Sequence, residues 1–209
     1  VEDCAIVFAA IHGQDHIDQT LVDAAFNYDA IKPLSAIRVG YVKSAFDRDR
    51  GSKARDQAVL DVLKGLGIEL IPIVLPSEPN VRFISFILQA EAAAAFDELT
   101  RNNEDDLMVR QIQNAWPNVF RTSRMIPAVE YIQANRQRFQ VVQEMNKVMQ
   151  DVDVYVAPSF GGINLLLTNL TGHPCVVVPN GFNENGSPTS ITFMGDLFNE
   201  ADALRIAKA

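Results

Sequence analysis

Cysteine, long apolar runs and positive charge are all scarce in this chain, and each shortage argues against a class of protein. The only two cysteines, Cys4 and Cys175, are far apart. This spacing argues against a disulfide framework and predicts small buried thiols in a reducing compartment, hence a cytoplasmic protein. No apolar run approaches the ~18 residues of a membrane span, and no signal peptide opens the sequence. We therefore expect neither membrane insertion nor export.

The charge balance argues against a nucleic-acid-binding surface. Acidic residues number 26 and basic residues 18, for a formal net charge of -8. Direct binding of nucleic acid needs clustered Lys and Arg, and the densest basic stretch, residues 48–55, is interrupted by Asp and Gly. That stretch is predicted to be a solvated loop. With 48% hydrophobic and 21% charged residues, the composition is that of an ordinary globular protein.

Both ends of the chain have the pattern of helices. Residues 1–11 place apolar side chains at 4, 7, 8 and 11, but no capping residue precedes Val1. Residues 200–209 also read as a helix, and they include no terminating Gly. We therefore expect this chain to be a piece of a longer polypeptide.

Strand and helix patterns alternate in the first third. Residues 36–42 predict a strand, residues 55–66 an amphipathic helix that ends at Gly67, and residues 68–75 a second strand. Pro72 places this second strand at a sheet edge, because proline donates no ladder hydrogen bond. Such a β-α-β unit connects parallel strands.

A helical middle follows. Residues 83–99 predict a helix, and a short helix is predicted from Leu107, which Trp116-Pro117-Asn118 interrupts. The longest helix is predicted over residues 126–149. Its apolar stripe predicts core packing and consists of Ile126, Val129, Ile132, Phe139, Val142, Met145 and Met149.

The last third returns to strands and short helices. Strands are predicted over residues 152–158, 174–179 and 190–193, with a short helix at 164–170 that Gly172 ends. The fold class is therefore α/β, a mixed sheet flanked by helices.

A turn-rich segment follows the first of these strands, and it is the candidate binding site. Ligands bind open α/β sheets at the carboxyl ends of strands, and glycines allow close approach of the backbone. The predicted binding residues are Ser159, Phe160, Gly161, Gly162 and Asn164. For Ser159, three roles stay open: a nucleophile paired with Lys147, a pocket-lining group, or a plain turn residue.

The three histidines indicate no catalytic or metal site. His12 and His16 have the spacing of a helical zinc pair, but a third ligand and the glutamate of zinc proteases are missing. They are predicted to be surface residues at a helix end. His173 is predicted to be a packed turn residue. No metal and no cofactor are expected.

Seven segments together resemble a known family. They are residues 1–5, 13–18, 61–67, 124–136, 154–159, 168–174 and 176–182. In this order they resemble the carboxyl-terminal half of the amidase-signature enzymes. The resemblance implies that residues 1–209 form the carboxyl-terminal portion of a single amidase-signature domain. It also implies amide hydrolysis through an acyl-serine enzyme, with a Ser-Ser-Lys triad that precedes this chain.

The chain alone is therefore expected to be inactive and to contribute no catalytic residue. The implied partners are a small-molecule amide and the missing amino-terminal half of the protein, with a possible homo-oligomer. Relatives that act in tRNA-dependent amide transfer place an acidic residue near the turn, whereas residues 159–164 contain no carboxylate. Arg121 and Arg124 are candidates to hold a substrate carboxylate, or else solvated charges at helix ends.

Two alternatives to the amide hydrolase remain. One is the amidase-like subunit of a glutamine-dependent aminoacyl-tRNA amidotransferase, which would need a tRNA-binding partner. The other is a non-catalytic ligand-binding α/β module that uses the glycine-containing turn as a cradle.

Overall fold

The computed structural model describes residues 1–29, 31, 33–160 and 162–209. The chain divides into a first unit, Val1–Leu75 with Glu144–Ala209, and a second unit, Pro76–Gln143. The helices are α1 (Glu2–Ile11), α2 (Lys43–Asp47), α3 (Lys53–Gly65), α4 (Phe86–Ala95), α5 (Asp97–Arg101), α6 (Trp116–Ser123), α7 (Ala128–Met149), α8 (Asn164–Thr171) and α9 (Glu200–Lys208). The strands are β1 (Val39–Val42), β2 (Leu70–Ile73), β3 (Val154–Pro158), β4 (Cys175–Phe182) and β5 (Pro188–Gly195). Short 3-10 turns occur at Leu34–Ala36, Val81–Phe83 and Glu104–Leu107.

The first unit is built on a mixed sheet, as the sequence predicts. The strand order is β2-β1-β3-β5-β4. β1 is parallel to both β2 and β3, whereas β5 is antiparallel to β3 and β4. The predicted β-α-β unit is confirmed as β1, α3 and β2. Pro72 lies in β2, which is an edge strand of this sheet, where a missing N–H donor is tolerated.

One face of the sheet carries the main apolar core. Alternate strand residues such as Val39, Val154 and Phe193 point to this face, because side chains alternate along a strand. Leu60 and Leu63 of α3 and Ile206 of α9 cover them. β3 lies at the centre of the sheet, and all its residues are buried. A strand that is buried on both faces has a nearly continuous run of apolar residues, and this run predicted β3 from the sequence.

Glycines end two helices as predicted. Gly67, just after α3, has a φ of 81°, and Gly172, at the end of α8, has a φ of 85°. The left-handed region is strained for residues with a Cβ, so glycine is preferred at a helix terminus.

The second unit is helical, and several of its boundaries were predicted wrongly. Residues 83–99 contain α4 and the start of α5 instead of one helix, and Leu107 ends a 3-10 turn instead of beginning a helix. Trp116 begins α6 instead of interrupting a helix, and Pro117 lies in the first turn. Proline fits there because the N–H groups of the first turn have no partner within the helix. Phe120 of α6 stacks on Phe96 and Trp116, with ring centroids 5.0 and 5.5 Å apart.

The core packing predicted for the whole stripe of α7 is also wrong. Met145 and Met149 are buried, but Val129, Ile132 and Phe139 are 58%, 51% and 62% exposed. The residues of α7 that are buried beside the two methionines are Ala134 and Val141. Helical spacing identifies an apolar face but not what covers it, and the described residues leave the amino-terminal part of this stripe open to solvent.

The two thiols are likewise not buried. Cys4 on α1 and Cys175 on β4 are both free and exposed. The prediction of buried thiols fails because β4 is an edge strand and Cys175 lies on the face opposite the main core. Within the part of the chain that the structure describes, no helix is long and apolar enough to cross a membrane.

Candidate functional site

The candidate site lies where several strands end together. β3 and β4 are both antiparallel to β5 and therefore run in the same direction as β1 and β2. Val42, Ile73, Pro158 and Phe182 consequently end their strands at one side of the sheet, which we call the carboxyl edge. Open α/β sheets bind ligands at such edges, and the turn predicted to bind substrate follows β3 there.

Ser159 is half-buried at the start of this turn. Its hydroxyl lies 2.7 Å from the Thr192 hydroxyl of β5. Lys147, its hypothetical base, instead donates to the Glu144 carboxylate at 2.6 Å. The described contacts therefore engage Ser159 and Lys147 separately. A serine without a base at hydrogen-bond distance is a weak nucleophile. The role of Ser159 as a pocket-lining residue stays a prediction.

Two of the next residues, Phe160 and Gly162, are exposed and have positive φ angles. Phe160 has a φ of 57° and is 87% exposed. Gly162 is exposed and has a φ of 83°. Gly161, the third residue of the predicted set, lies outside the described residues. A large exposed aromatic ring next to accessible backbone is suited to contact a ligand.

Asn164 is engaged within the fold. Its side-chain oxygen accepts a hydrogen bond of 2.8 Å from the hydroxyl of Tyr155, a buried residue of β3. Its backbone oxygen accepts from the Thr168 hydroxyl at 3.0 Å. Burial raises the pKa of Tyr155, so this phenol stays protonated and keeps donating. These bonds fix the start of α8 relative to the turn, and a direct contact of Asn164 with substrate remains a prediction.

An arginine that sequence reasoning assigned to a solvated loop lies against the turn. A Cβ added to Gly162 would be 3.2 Å from the Nη1 atom of Arg48. Arg48 follows β1 and α2, and β1 is the parallel neighbour of β3. Loops that follow adjacent parallel strands meet at the same edge, but the sequence alone does not show that β1 and β3 are adjacent. The composition of the basic stretch by itself predicts only a solvated loop.

The residue directly after the basic stretch is a buried carboxylate. Asp56 is 2% exposed and accepts hydrogen bonds from Arg50 at 3.1 Å, Ser52 at 2.8 Å and Asn180 at 2.9 Å. Asn180 belongs to β4, so this carboxylate joins the start of α3 to the carboxyl edge. A charge that is buried this fully must be paired and hydrogen-bonded, as it is here.

The histidines lie where the sequence placed them. His12 and His16 are exposed at the end of α1, and the His12 ring Nδ1 is 3.1 Å from the Ala9 carbonyl oxygen. His173 is buried, and its Nδ1 is 2.8 Å from the Thr171 hydroxyl. Burial lowers the pKa of His173, and Asp196, 3.9 Å away, partly opposes this. No group of three or more metal-binding side chains exists among the described residues.

Arg121 and Arg124, the other candidates for holding a carboxylate, have partners inside the second unit. Arg121 pairs with Asp105 at 2.6 Å and with Asp106 at 2.9 Å. Arg124 pairs with Asp97. Their guanidinium groups are therefore already neutralised by nearby carboxylates.

Comparison with known proteins identifies relatives along the whole chain. A sequence model described as Amidase matches residues 1–164. A glutamyl-tRNA(Gln) amidotransferase subunit of Nostoc punctiforme is 26% identical over 257 aligned positions, which cover 100% of this chain and 53% of the relative. The chain spans about half the length of the curated relatives it matches.

Solved structures share the fold. A bacterial aryl acylamidase of the amidase-signature family superposes with a TM-score of 0.75 at 19% identity, over 97% of this chain and 49% of that one. Allophanate hydrolase of Kluyveromyces lactis gives the same TM-score of 0.75 at 18% identity, over 99% of this chain and 37% of that one. At these identities the superpositions establish shared architecture.

Proposed function

The chain belongs to the Amidase family, and we propose that the protein containing it hydrolyses carboxamides to a carboxylate and ammonia or an amine. The family match over residues 1–164 carries this proposal. Superposition on a bacterial aryl acylamidase with a TM-score of 0.75 supports it. A non-catalytic binding module gains no support from either observation.

The reactive groups, in this proposal, belong to polypeptide outside these residues. The described contacts engage Ser159 with Thr192 and Lys147 with Glu144, so neither is arranged as a nucleophile with its base. Residues 1–209 would be the carboxyl-terminal portion of one amidase-signature domain. They would supply a wall of the acyl pocket through the turn that follows β3.

The proposed partner is the missing amino-terminal half of the same protein. β4 is an edge strand of this sheet, and Val177 and Phe182 on it are 54% and 68% exposed. An exposed apolar edge strand readily pairs with another strand. β2, the other edge, is less suited because Pro72 donates no hydrogen bond. We therefore place the shared continuation of the sheet at β4.

Ammonia release from simple carboxamides tests the proposal. The full polypeptide expressed from the gene is expected to release ammonia from benzamide or hexanamide, whereas purified residues 1–209 release none. Ser159→Ala in the full polypeptide should leave a measurable rate, because Ser159 is not the nucleophile. Turnover by residues 1–209 that is abolished by Ser159→Ala would instead place the chemistry in this chain.

A second candidate function is that of an amidotransferase subunit. The relatives named as subunits of glutamyl-tRNA(Gln) amidotransferase match the chain end to end at 22–27% identity. Glutamine carries an ammonium group that a carboxylate would hold, and residues 159–164 contain none. Glutamine hydrolysis that is stimulated by a tRNA-binding partner, with no activity on simple amides, would favour this alternative.

A further inference from the structure

Among the described residues, Arg48 differs from Arg50 and Arg55 in that its guanidinium group has no partner. Among the residues that the structure describes, no hydrogen bond or ion pair involves its guanidinium group, which lies against Gly162. Arg50 is bound to the buried Asp56 at 3.1 Å. Arg55 donates to the Gly51 carbonyl at 2.9 Å. Arg50 and Arg55 are thus engaged within the fold, whereas the charge of Arg48 is available to a ligand at the carboxyl edge.

The loop that carries Arg48 is held in place by the carboxyl edge. Asp56 ties Arg50 and Ser52 to Asn180 of β4. The Arg55 side chain packs on Gly181, where an added Cβ would be 3.0 Å from its Cδ. Because these contacts hold the loop, a ligand that binds the exposed Arg48 side chain does not have to order the loop backbone, and this preorganisation favours affinity.

Two further donors at this edge lack an acceptor among the described residues. The Nε atoms of Arg50 and Arg55 are buried, and neither makes a hydrogen bond within the described chain. Buried donors of this kind are normally satisfied by protein, water or a ligand. Residues 159–164, in turn, contain no carboxylate. The carboxyl edge therefore offers cationic donors beside the turn, and the turn itself supplies no anion to neutralise them.

We propose that Arg48 binds a carboxylate of the substrate, so that the preferred amides carry a negative charge away from the reacting carboxamide. This inference rests on the proposed function and specifies its substrate class. A guanidinium group matches a carboxylate with two parallel hydrogen bonds, and it stays charged at every physiological pH.

Paired substrates test the assignment in the full polypeptide. Succinamate and butanamide have the same carbon chain length and differ in the terminal carboxylate. We expect kcat/KM to be higher for succinamate, and Arg48→Gln to lower that value by about tenfold or more with little change for butanamide. Arg48→Lys should restore part of the preference. Arg38→Gln, at the opposite end of β1, removes the same charge and should leave the ratio unchanged.

Gly162→Ala provides an independent variant. The new methyl group would contact the Arg48 guanidinium at 3.2 Å, in a backbone with a φ of 83°. It should displace Arg48 and reduce the succinamate preference while Arg48 itself is retained. An unchanged ratio in both Gly162→Ala and Arg48→Gln would overturn the proposed site.

Calorimetric titration separates this inference from the proposed function. If the protein hydrolyses neither amide but binds succinamate, and Arg48→Gln abolishes the binding, the carboxylate site stands and the hydrolase proposal fails. If both amides are hydrolysed equally well and Arg48→Gln changes neither rate, the hydrolase proposal stands and the carboxylate site fails.

Discussion

The arginines near the two ends of β1 differ in whether their guanidinium groups are paired. At the amino end, Arg38 donates to Asp153 through Nη2 at 2.6 Å and to the Gln150 carbonyl at 2.6 Å. At the carboxyl end, Arg48 lies against Gly162 and has no partner among the described residues. A charge paired within its own fold supports structure, whereas an unpaired charge on a fixed loop is available to a ligand. The comparison supports the proposal that the carboxyl edge is the functional end of the sheet.

Each end also contains a buried polar group that the fold must satisfy. Asp56 serves the carboxyl edge, where it binds side chains from the loop and from β4. His173 and Asp196 lie near the amino ends of β3 and β4. Asp56 stabilises the loop that contains Arg48, whereas His173 and Asp196 lie at the edge of the sheet opposite the carboxyl edge. Substitutions at the two ends should therefore differ in their effects on stability and on its pH dependence.

The largest expected effect concerns the carboxylate at the carboxyl edge. Asp56→Ala leaves Arg50 and Asn180 without their acceptor in a buried place, so we expect a loss of about 3 kcal/mol in the free energy of unfolding. Urea unfolding measures the loss. Asp61→Ala, on the exposed face of α3, is the control and should change stability by no more than about 0.5 kcal/mol. Equal effects would mean that the Asp56 contacts contribute nothing specific.

A smaller effect is expected at the opposite end of the sheet. A Cβ at Gly195 would be 2.7 Å from the Asn199 carbonyl oxygen and 3.4 Å from the Ala203 Cβ. Gly195→Ala should therefore destabilise by about 2 kcal/mol, because the backbone must shift. Gly65→Ala is the control, since nothing lies within 4 Å of its added Cβ in α3. It should be neutral or slightly stabilising, and thermal unfolding of both variants reveals the sign.

The smallest expected effect is on the pH dependence of stability. Burial lowers the pKa of folded His173 below its ordinary 6.5. As the pH falls, the unfolded chain therefore takes up a proton first, and stability is lost from about 6.5 down to the folded pKa. Unfolding at about pH 7.5 and about pH 5.5 should show a shallower loss for His173→Gln than for the parent. Parallel pH profiles would contradict this assignment.

Local patterns in the sequence were sufficient for much of the fold. The β-branched runs of β1 and β3, the helical spacing of α3 and the glycines at 67 and 172 all predicted elements that the structure contains. These signals act over a few residues, since side-chain alternation and left-handed backbone are local properties. The Amidase family was also identified from ordered motifs, and the family match over residues 1–164 confirms it.

Long-range contacts decided what the sequence did not predict. Val129, Ile132 and Phe139 have the spacing of a core face, yet they are exposed because no described element covers them. Cys175 lies in a strand with the ordinary alternation of side chains, but it is exposed because this strand is at an edge of the sheet. Periodicity specifies which residues share a face, and only the neighbouring elements decide whether that face is buried.

The candidate site shows the same division. The sequence by itself determined that a glycine-containing turn follows a buried strand, because strand and turn are local choices of neighbouring residues. Only the tertiary structure decided that Arg48, more than a hundred positions earlier, lies 3.2 Å from where a side chain at Gly162 would begin. Parallel strand pairing brings their loops together, and this pairing depends on contacts between segments distant in the chain.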